Sequence, residues 1–194
     1  MSLAIELYTD GSCSMNPGPG GYAYIIRYFK DVDGEVPKEI DFEEKGGYRL
    51  TTNNRMEIMA GIFGIRDILK KIEDKVIEGN IVSVFSDSQY FIDAINKRWI
   101  DKWEQNNWIS TTTKFHIKNR DLWEQVIDTL KEAKEKGITI TFTHVRGHSN
   151  IEYNEKADRF AVSATADSAS YKIDEKYEEE RNKRRSFGHF DKKE

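Results

Sequence analysis

Four carboxylates in this chain stand where carboxylates are unusual. Asp10 closes an apolar stretch that begins at Leu3, and Asp87 closes the run Ile81-Val82-Ser83-Val84-Phe85-Ser86. Glu57 lies among the apolar residues Met56 and Met59, and Asp158 lies beside Ala157, Phe160 and Ala161. Like charges brought close together repel and raise one another's pKa values. Hard divalent cations relieve that repulsion. Mg²⁺ takes oxygen ligands, keeps several waters and shares phosphate oxygens. Two such ions roughly 3.5–4 Å apart activate a water and stabilise the leaving oxygen of a phosphodiester. The chemistry these residue types suit is therefore metal-assisted phosphodiester hydrolysis. Taken singly, Asp10 or Asp87 reads as a turn or helix cap, and Asp158 as a helix-surface residue, so their value rests on their setting.

Periodicity and punctuation supply that setting. Residues 3–9 alternate imperfectly and read as a strand. Residues 17–21 hold two prolines and three glycines and are expected to form a loop. Residues 22–30, rich in aromatic and β-branched side chains, predict a second strand, and residues 38–50 a third. Thr51, Thr52, Asn53 and Asn54 offer caps for a helix with a broad apolar face that includes Met56, Met59, Ile62, Ile65 and Leu69. The strand 81–86 follows, then a helix over about 88–97 capped by Asp87-Ser88. Residues 99–118 are less regular and contain Trp99, Trp103 and Trp108. A helix from Asp121 to Lys136, a strand over 138–145, a Gly147-His148-Ser149 loop and a helix over 152–165 complete the series. The fold class is α/β: a five-stranded mixed sheet, three antiparallel strands then two parallel, flanked by helices. Adjacent strands would bring the ends of the first and fourth together, with Glu57 beside them.

The chain has 194 residues, 38% hydrophobic and 33% charged, with a net charge of −4. That balance argues against a protein that coats nucleic acid by charge alone. It permits an acidic centre neutralised by cations. No apolar run approaches the roughly 18–20 residues that span a bilayer, and the N-terminus lacks the features of a signal peptide. The one cysteine, Cys13, excludes a disulfide within the chain. A cytoplasmic monomer with no membrane association and no obligate protein partner is expected. Residues 1–166 are expected to form the catalytic domain. Residues 167–194, with eight acidic and eight basic side chains, are expected to be a charged tail, helical or disordered. A sharper reading makes the run Arg181-Asn182-Lys183-Arg184-Arg185 a partner- or substrate-binding arm.

A series of segments resembles ribonuclease H of the bacterial HI type. They are Tyr8-Thr9-Asp10-Gly11-Ser12-Cys13, Asn16-Pro17-Gly18-Pro19-Gly20-Gly21-Tyr22, Thr51-Thr52-Asn53-Asn54-Arg55-Met56-Glu57 and Ser86-Asp87-Ser88-Gln89-Tyr90. They continue with Asn119-Arg120-Asp121-Leu122-Trp123, Val145-Arg146-Gly147-His148-Ser149 and Asn154-Glu155-Lys156-Ala157-Asp158. One such segment would be weak; the ordered series over residues 3–165 is specific. The resemblance implies an RNase H-like fold and an endoribonuclease that cuts the RNA strand of RNA–DNA hybrids, leaving 5′-phosphate and 3′-hydroxyl ends. It implies that Asp10, Glu57, Asp87 and Asp158 hold two Mg²⁺ ions, with Mn²⁺ permitted. It implies that His148 assists proton transfer or product release, a role that suits an imidazole on a Gly-flanked loop. Asn16, Asn53, Asn54 and Gln89 match positions that line the hybrid's minor groove; Asn53 and Asn54 also read as helix caps. A buried structural role competes for His144, and Arg55 reads as a buried structural ion pair.

Trp99, Trp103 and Trp108 resemble the protrusion that grips the DNA strand in bacterial relatives, and Trp99 and Trp103 are taken as substrate-binding; a role in the core of the protrusion competes for all three. Here the intervening residues are Glu104-Gln105-Asn106-Asn107, where the bacterial pattern is basic. The loop over 30–40 is longer and acidic. Two rival classes deserve weight. A transposase, integrase or resolvase shares a carboxylate sheet site but does not usually combine the Gly-His-Ser loop with the Thr-Thr-Asn-Asn-Arg-Met-Glu run. A non-catalytic nucleic-acid-binding protein would ordinarily have lost one of the four acids. A protrusion short of cations predicts weak hybrid affinity with a shallow salt dependence. Glu104→Lys with Asn106→Lys is expected to tighten binding and to steepen the slope of log K against log[salt] by about 0.9 per new phosphate contact. Hybrid-binding titrations at several salt concentrations measure this, and unchanged affinity would contradict it.

Overall fold

The computed structural model describes residues 4–30, 38–147 and 151–190. Three long strands open the chain: β1 (Ala4–Cys13), β2 (Gly18–Lys30) and β3 (Lys38–Thr51). Then come α1 (Asn53–Glu73), β4 (Ile81–Ser86), α2 (Gln89–Asn96), α3 (Trp99–Gln105), α4 (Arg120–Glu135), β5 (Thr139–His144), α5 (Glu152–Ala166) and α6 (Glu175–Phe190). The strands form one sheet in the order β3-β2-β1-β4-β5. β1, β2 and β3 are antiparallel neighbours, whereas β1–β4 and β4–β5 are parallel. The expected five-stranded mixed sheet is present, with β1 in its centre.

The main core lies between the sheet and α1, which buries Met56, Ile58, Ile62, Ile65, Ile68 and Leu69 against Ile5, Leu7, Val82 and Val84. Trp123 of α4 and Phe91 of α2 are fully buried beside them. A smaller cluster on the opposite face packs Ala157 of α5 on Tyr8 and Ile25. Among the described residues no helix is long and apolar enough to cross a membrane.

One expectation needs correction. Residues 18–21 are not a loop: they open β2, with Ser12 opposite Gly21 and Cys13 opposite Gly20. Glycine and proline normally mark turns, but here the glycines serve close packing. A Cβ on Gly21 would stand 2.5 Å from the Ala161 carbonyl oxygen and 2.6 Å from the Thr165 nitrogen, so only glycine lets α5 cross the sheet at this point. Pro19, which cannot donate to a ladder, coincides with the register shift between Gly18 and Gly20 in the β2–β3 pairing. β1 likewise continues past Asp10 to Cys13 because it is paired with this part of β2.

The tail is helical over Glu175–Phe190, one of the two states expected for it. Part of it is built into the domain. Lys172 bridges to β3, its N–H donating to Gly47 O at 2.9 Å and its carbonyl accepting from Arg49 N at 3.1 Å. Asp174 is only 4% exposed. It accepts from Arg55 Nε at 2.6 Å, Arg55 Nη2 at 2.8 Å and the Thr51 hydroxyl at 3.0 Å. Arg55 is itself 2% exposed and also donates to both carboxylate oxygens of Asp121 on α4, at 2.8 and 2.7 Å. Burial works against the Arg55 charge, but the hydrogen bonds it donates to Asp121 and Asp174 outweigh that and hold the guanidinium above its ordinary pKa. Arg55 thus has the structural ion-pair role expected of it, and it joins α1, α4 and the tail at one point. The acidic loop falls largely within residues 31–37, outside the described residues.

Removing one partner from a buried ion pair leaves an uncompensated charge, at a cost of about 3–5 kcal/mol. Asp174→Ala leaves Arg55 its second partner, so a loss of roughly 3 kcal/mol is expected, read as a lower urea midpoint. A midpoint equal to that of the parent chain would show that the tail is not part of the folded unit.

Candidate active site

The site forms where the central parallel pair ends. Thr9 of β1 pairs with Ser86 of β4. The next residues along these strands are Asp10 and Asp87, so two carboxyl-bearing positions sit side by side on strands about 4.8 Å apart. Asp10 is 6% exposed, and Asp87 is half-buried.

Glu57 reaches the same place because α1 lies directly on Gly11. A Cβ at Gly11 would fall 2.3 Å from the Glu57 nitrogen and 2.5 Å from the Met56 carbonyl carbon. Thr52 caps this helix, accepting from Arg55 N at 3.4 Å. Of the four residues expected to offer a cap, Thr52 supplies it, and Asn53 has other work. Asn53 Nδ2 donates to Glu57 Oε1 at 2.7 Å, and Asn53 N donates to Asn16 Oδ1 at 3.3 Å. The Ser88 hydroxyl donates to Glu57 Oε2 while accepting from Phe91 N as the cap of α2. Glu57 is thus held at both oxygens. Asp158 arrives on α5, seated by Gly21 and by the burial of Ala157 and Ala161, and it lies within electrostatic reach of Asp10.

The electrostatics follow from this crowding. Burial first, then the charges of Asp87, Asp158 and Glu57, push Asp10 up to about 8; the Gly11 N–H, 2.7 Å from Asp10 Oδ1, acts in the opposite direction. Burial and the Asp87 charge also raise Glu57, against the hydrogen bonds from Ser88 and Asn53. All four predicted acids are therefore brought together. Among the described residues no three acidic, histidine or cysteine side chains converge tightly enough to enclose a metal ion by themselves. The donor set is all oxygen and anionic. It fits hard cations that keep water or phosphate oxygens in their remaining positions.

His148 lies outside the described residues. Gly147, the residue before it, stands against Asp87: a Cβ there would be 3.0 Å from Asp87 Oδ2. His144 is exposed, not buried, with Nε2 3.2 Å from the Asp87 carbonyl oxygen. Asn16, Asn54 and Gln89 are exposed near the carboxylates' supporting elements, and Asn53 is half-buried. Trp99 and Trp103 are half-buried, their ring centroids 6.1 Å apart, with Trp103 5.6 Å from the buried Trp123. They pack on the core and still line a surface cleft with Lys102 and Ile109, whereas Trp108 is 5% exposed and is core. Sequence reasoning missed Ser88 as the second holder of Glu57. Its cap signal was visible, but a cap and a carboxylate partner look the same in one dimension.

The RNase H family model matches residues 3–166. Ribonuclease H of Caldanaerobacter subterraneus subsp. tengcongensis is 40% identical over 158 residues, covering 81% of this chain and 88% of that protein. Ribonuclease HI of Synechocystis sp. is 41% identical over 161 residues, 83% of this chain and 87% of that one. The crystal structure of LC11-RNase H1 in complex with RNA/DNA hybrid has the same fold, with a TM-score of 0.56 and 23% identity over 86% of this chain and 99% of that one. The sheet order, the grouped acids and these matches agree: the chain belongs to the RNase H family and is an enzyme of the ribonuclease H class.

Proposed function

We propose that this ribonuclease hydrolyses the RNA strand of RNA–DNA hybrids at the four-carboxylate site, leaving 5′-phosphate and 3′-hydroxyl ends. The observation that carries the reading is Asp10, buried and ringed by the charges of Asp87, Asp158 and Glu57 at the end of the parallel pair β1–β4. Such a group of anions without cations is costly, and a phosphodiester would add further negative charge. The hybrid bound by LC11-RNase H1, which shares the fold, supports the substrate class.

Asp10, Glu57, Asp87 and Asp158 would hold two divalent cations, Mg²⁺ or Mn²⁺. When bound, such ions supply water activation and charge neutralisation at the phosphodiester. The chain's own part is positioning. The Gly11 N–H fixes one oxygen of Asp10, and Asn53 and Ser88 fix Glu57, so the oxygens are oriented before substrate arrives. The exposed amides of Asn16, Asn54 and Gln89 suit contacts to 2′-hydroxyls and base edges in a minor groove. His148, next to a glycine that abuts Asp87, is the residue to move a proton near the cleaved bond.

Asp10→Asn is expected to abolish hybrid cleavage, lowering kcat by at least about 10³-fold while the circular dichroism spectrum stays that of the parent. End-labelling of the parent's products should find 5′-phosphates; 5′-hydroxyl ends, or an active Asp10→Asn variant, would refute the site assignment.

A second expectation concerns the metal-free protein. The folded pKa of Asp10 lies above its unfolded value of about 3.9. The unfolded chain therefore releases this proton first, and stability falls as pH rises from about 4 to about 8. In chelator, Asp10→Asn should melt above the parent, with a gap that widens across that window. The scale is roughly 2–4 °C per kcal/mol for a chain of this size. Divalent cations should narrow the gap by stabilising the parent. A variant that melts below the parent at pH 8 in chelator would contradict the account of Asp10.

A further inference from the structure

A cleft of ≈ 310 Å³ opens beside the N-terminus of α1. Asn16, Asn54 and Lys118 line it, together with a wall of Tyr177, Glu180 and Arg181 from α6. The α6 residues are spaced three and four apart, so they share one helix face. This wall is fixed in place. Asp174, just before the helix, is buried on Arg55, and Glu178 takes a bidentate pair from Arg49 at 2.9 and 2.7 Å. The Arg55 guanidinium stands 5.6 Å from the Tyr177 ring centroid.

The cleft's chemistry favours an anion. Peptide N–H groups at the start of α1 carry a partial positive charge. Lys118 and Arg181 add two cations, against the single carboxylate of Glu180. The cleft is also continuous with the catalytic face: Asn16 accepts from Asn53 N, and Asn53 holds Glu57. A substrate strand leaving the carboxylates past Asn54 would meet α6. The Glu104-Gln105-Asn106-Asn107 stretch of the protrusion lacks cations, so positive charge on this flank adds to what Lys97 and Lys102 offer a polyanion there.

We infer that α6 is part of the nucleic-acid-binding surface, with Arg181 contacting a backbone phosphate of the substrate in the cleft it shares with Lys118 and Asn54. The inference rests on the hybrid-cleaving reading above. It extends the binding surface beyond residues 3–166 matched by the family model, and it gives the C-terminal segment a task in addition to its structural anchor.

The test is steady-state cleavage of one defined hybrid by the full chain between 50 and 200 mM salt, a range over which phosphate contacts are strongly expressed. Arg181→Ala should raise KM roughly three- to tenfold at the low-salt end and leave kcat in place. It should lower the slope of log(kcat/KM) against log[salt] by about 0.9, the value of one lost phosphate contact. Arg181→Lys should recover most of the loss. Lys176→Ala removes the same charge from α6 outside the cleft and should leave both quantities alone, and melting curves of all three should match the parent. Parent-like KM and salt slope in Arg181→Ala, with the parent cleaving normally, would overturn the inference. A parent chain that does not cleave hybrid would overturn the reading beneath it and the inference together.

Discussion

Repulsion among carboxylates at the end of the β1–β4 pair is the constraint on which the rest of the structure depends. Asp10 is almost wholly buried, and three further acids act on it. In a protein interior such charges interact far more strongly than in water. Several features of the sequence exist to assemble this unfavourable group. Gly11 lets the first turn of α1 lie on β1, and that approach delivers Glu57. Gly21 lets α5 cross β2, and that crossing delivers Asp158. Asn53 and Ser88 then fix Glu57 in one orientation. The core beneath is correspondingly apolar and closely packed, with Met56, Ile58 and Leu7 fully buried next to the site. A scaffold this committed to holding anions together is matched to cations and to a phosphodiester, which bring the compensating charge and the reacting bond.

The holding of substrate follows a different logic. The chain carries a net charge of −4, so affinity for nucleic acid has to be local. The Trp99–Trp103 pair is anchored on Trp123 and offers aromatic surface, with Lys97 Nζ 5.6 Å from the Trp99 ring centroid and Lys102 in the same cleft. On the other flank, Arg55 ties α1, α4 and the tail together through Asp121 and Asp174. That single buried guanidinium anchors the segment that leads into α6, whose Tyr177, Glu180 and Arg181 line the cleft beside Asn54.

Much of this was legible in one dimension, for physical reasons that can be named. Asp10 and Asp87 each follow an apolar stretch that stops at an acid, and although β1 runs on to Cys13, their neighbouring positions follow once β1 and β4 are parallel up to Thr9 and Ser86. The α1 pattern announced its apolar face, and Arg55 inside it could only be paired. The glycines at 18–21 misled because composition reports backbone freedom, whereas these glycines are needed for lack of a Cβ beneath α5. Asp174 was hidden for another reason. It sits in a segment of mixed charge that reads as solvated, and its partner Arg55 is 119 residues away. Ser88 and Thr52 looked like caps and are caps; that Ser88 also holds Glu57 depends on the packing of α1 against α2, which no local pattern encodes.

The most direct test of the central claim is strand and metal discrimination in a single assay. RNA–DNA hybrid, double-stranded RNA and double-stranded DNA of one sequence, each strand labelled separately, are incubated with the full chain in Mg²⁺ and in chelator. The account predicts cleavage of the RNA strand of the hybrid alone, in Mg²⁺ alone. Cleavage of either DNA strand, or of the hybrid in chelator at the same rate, would contradict it.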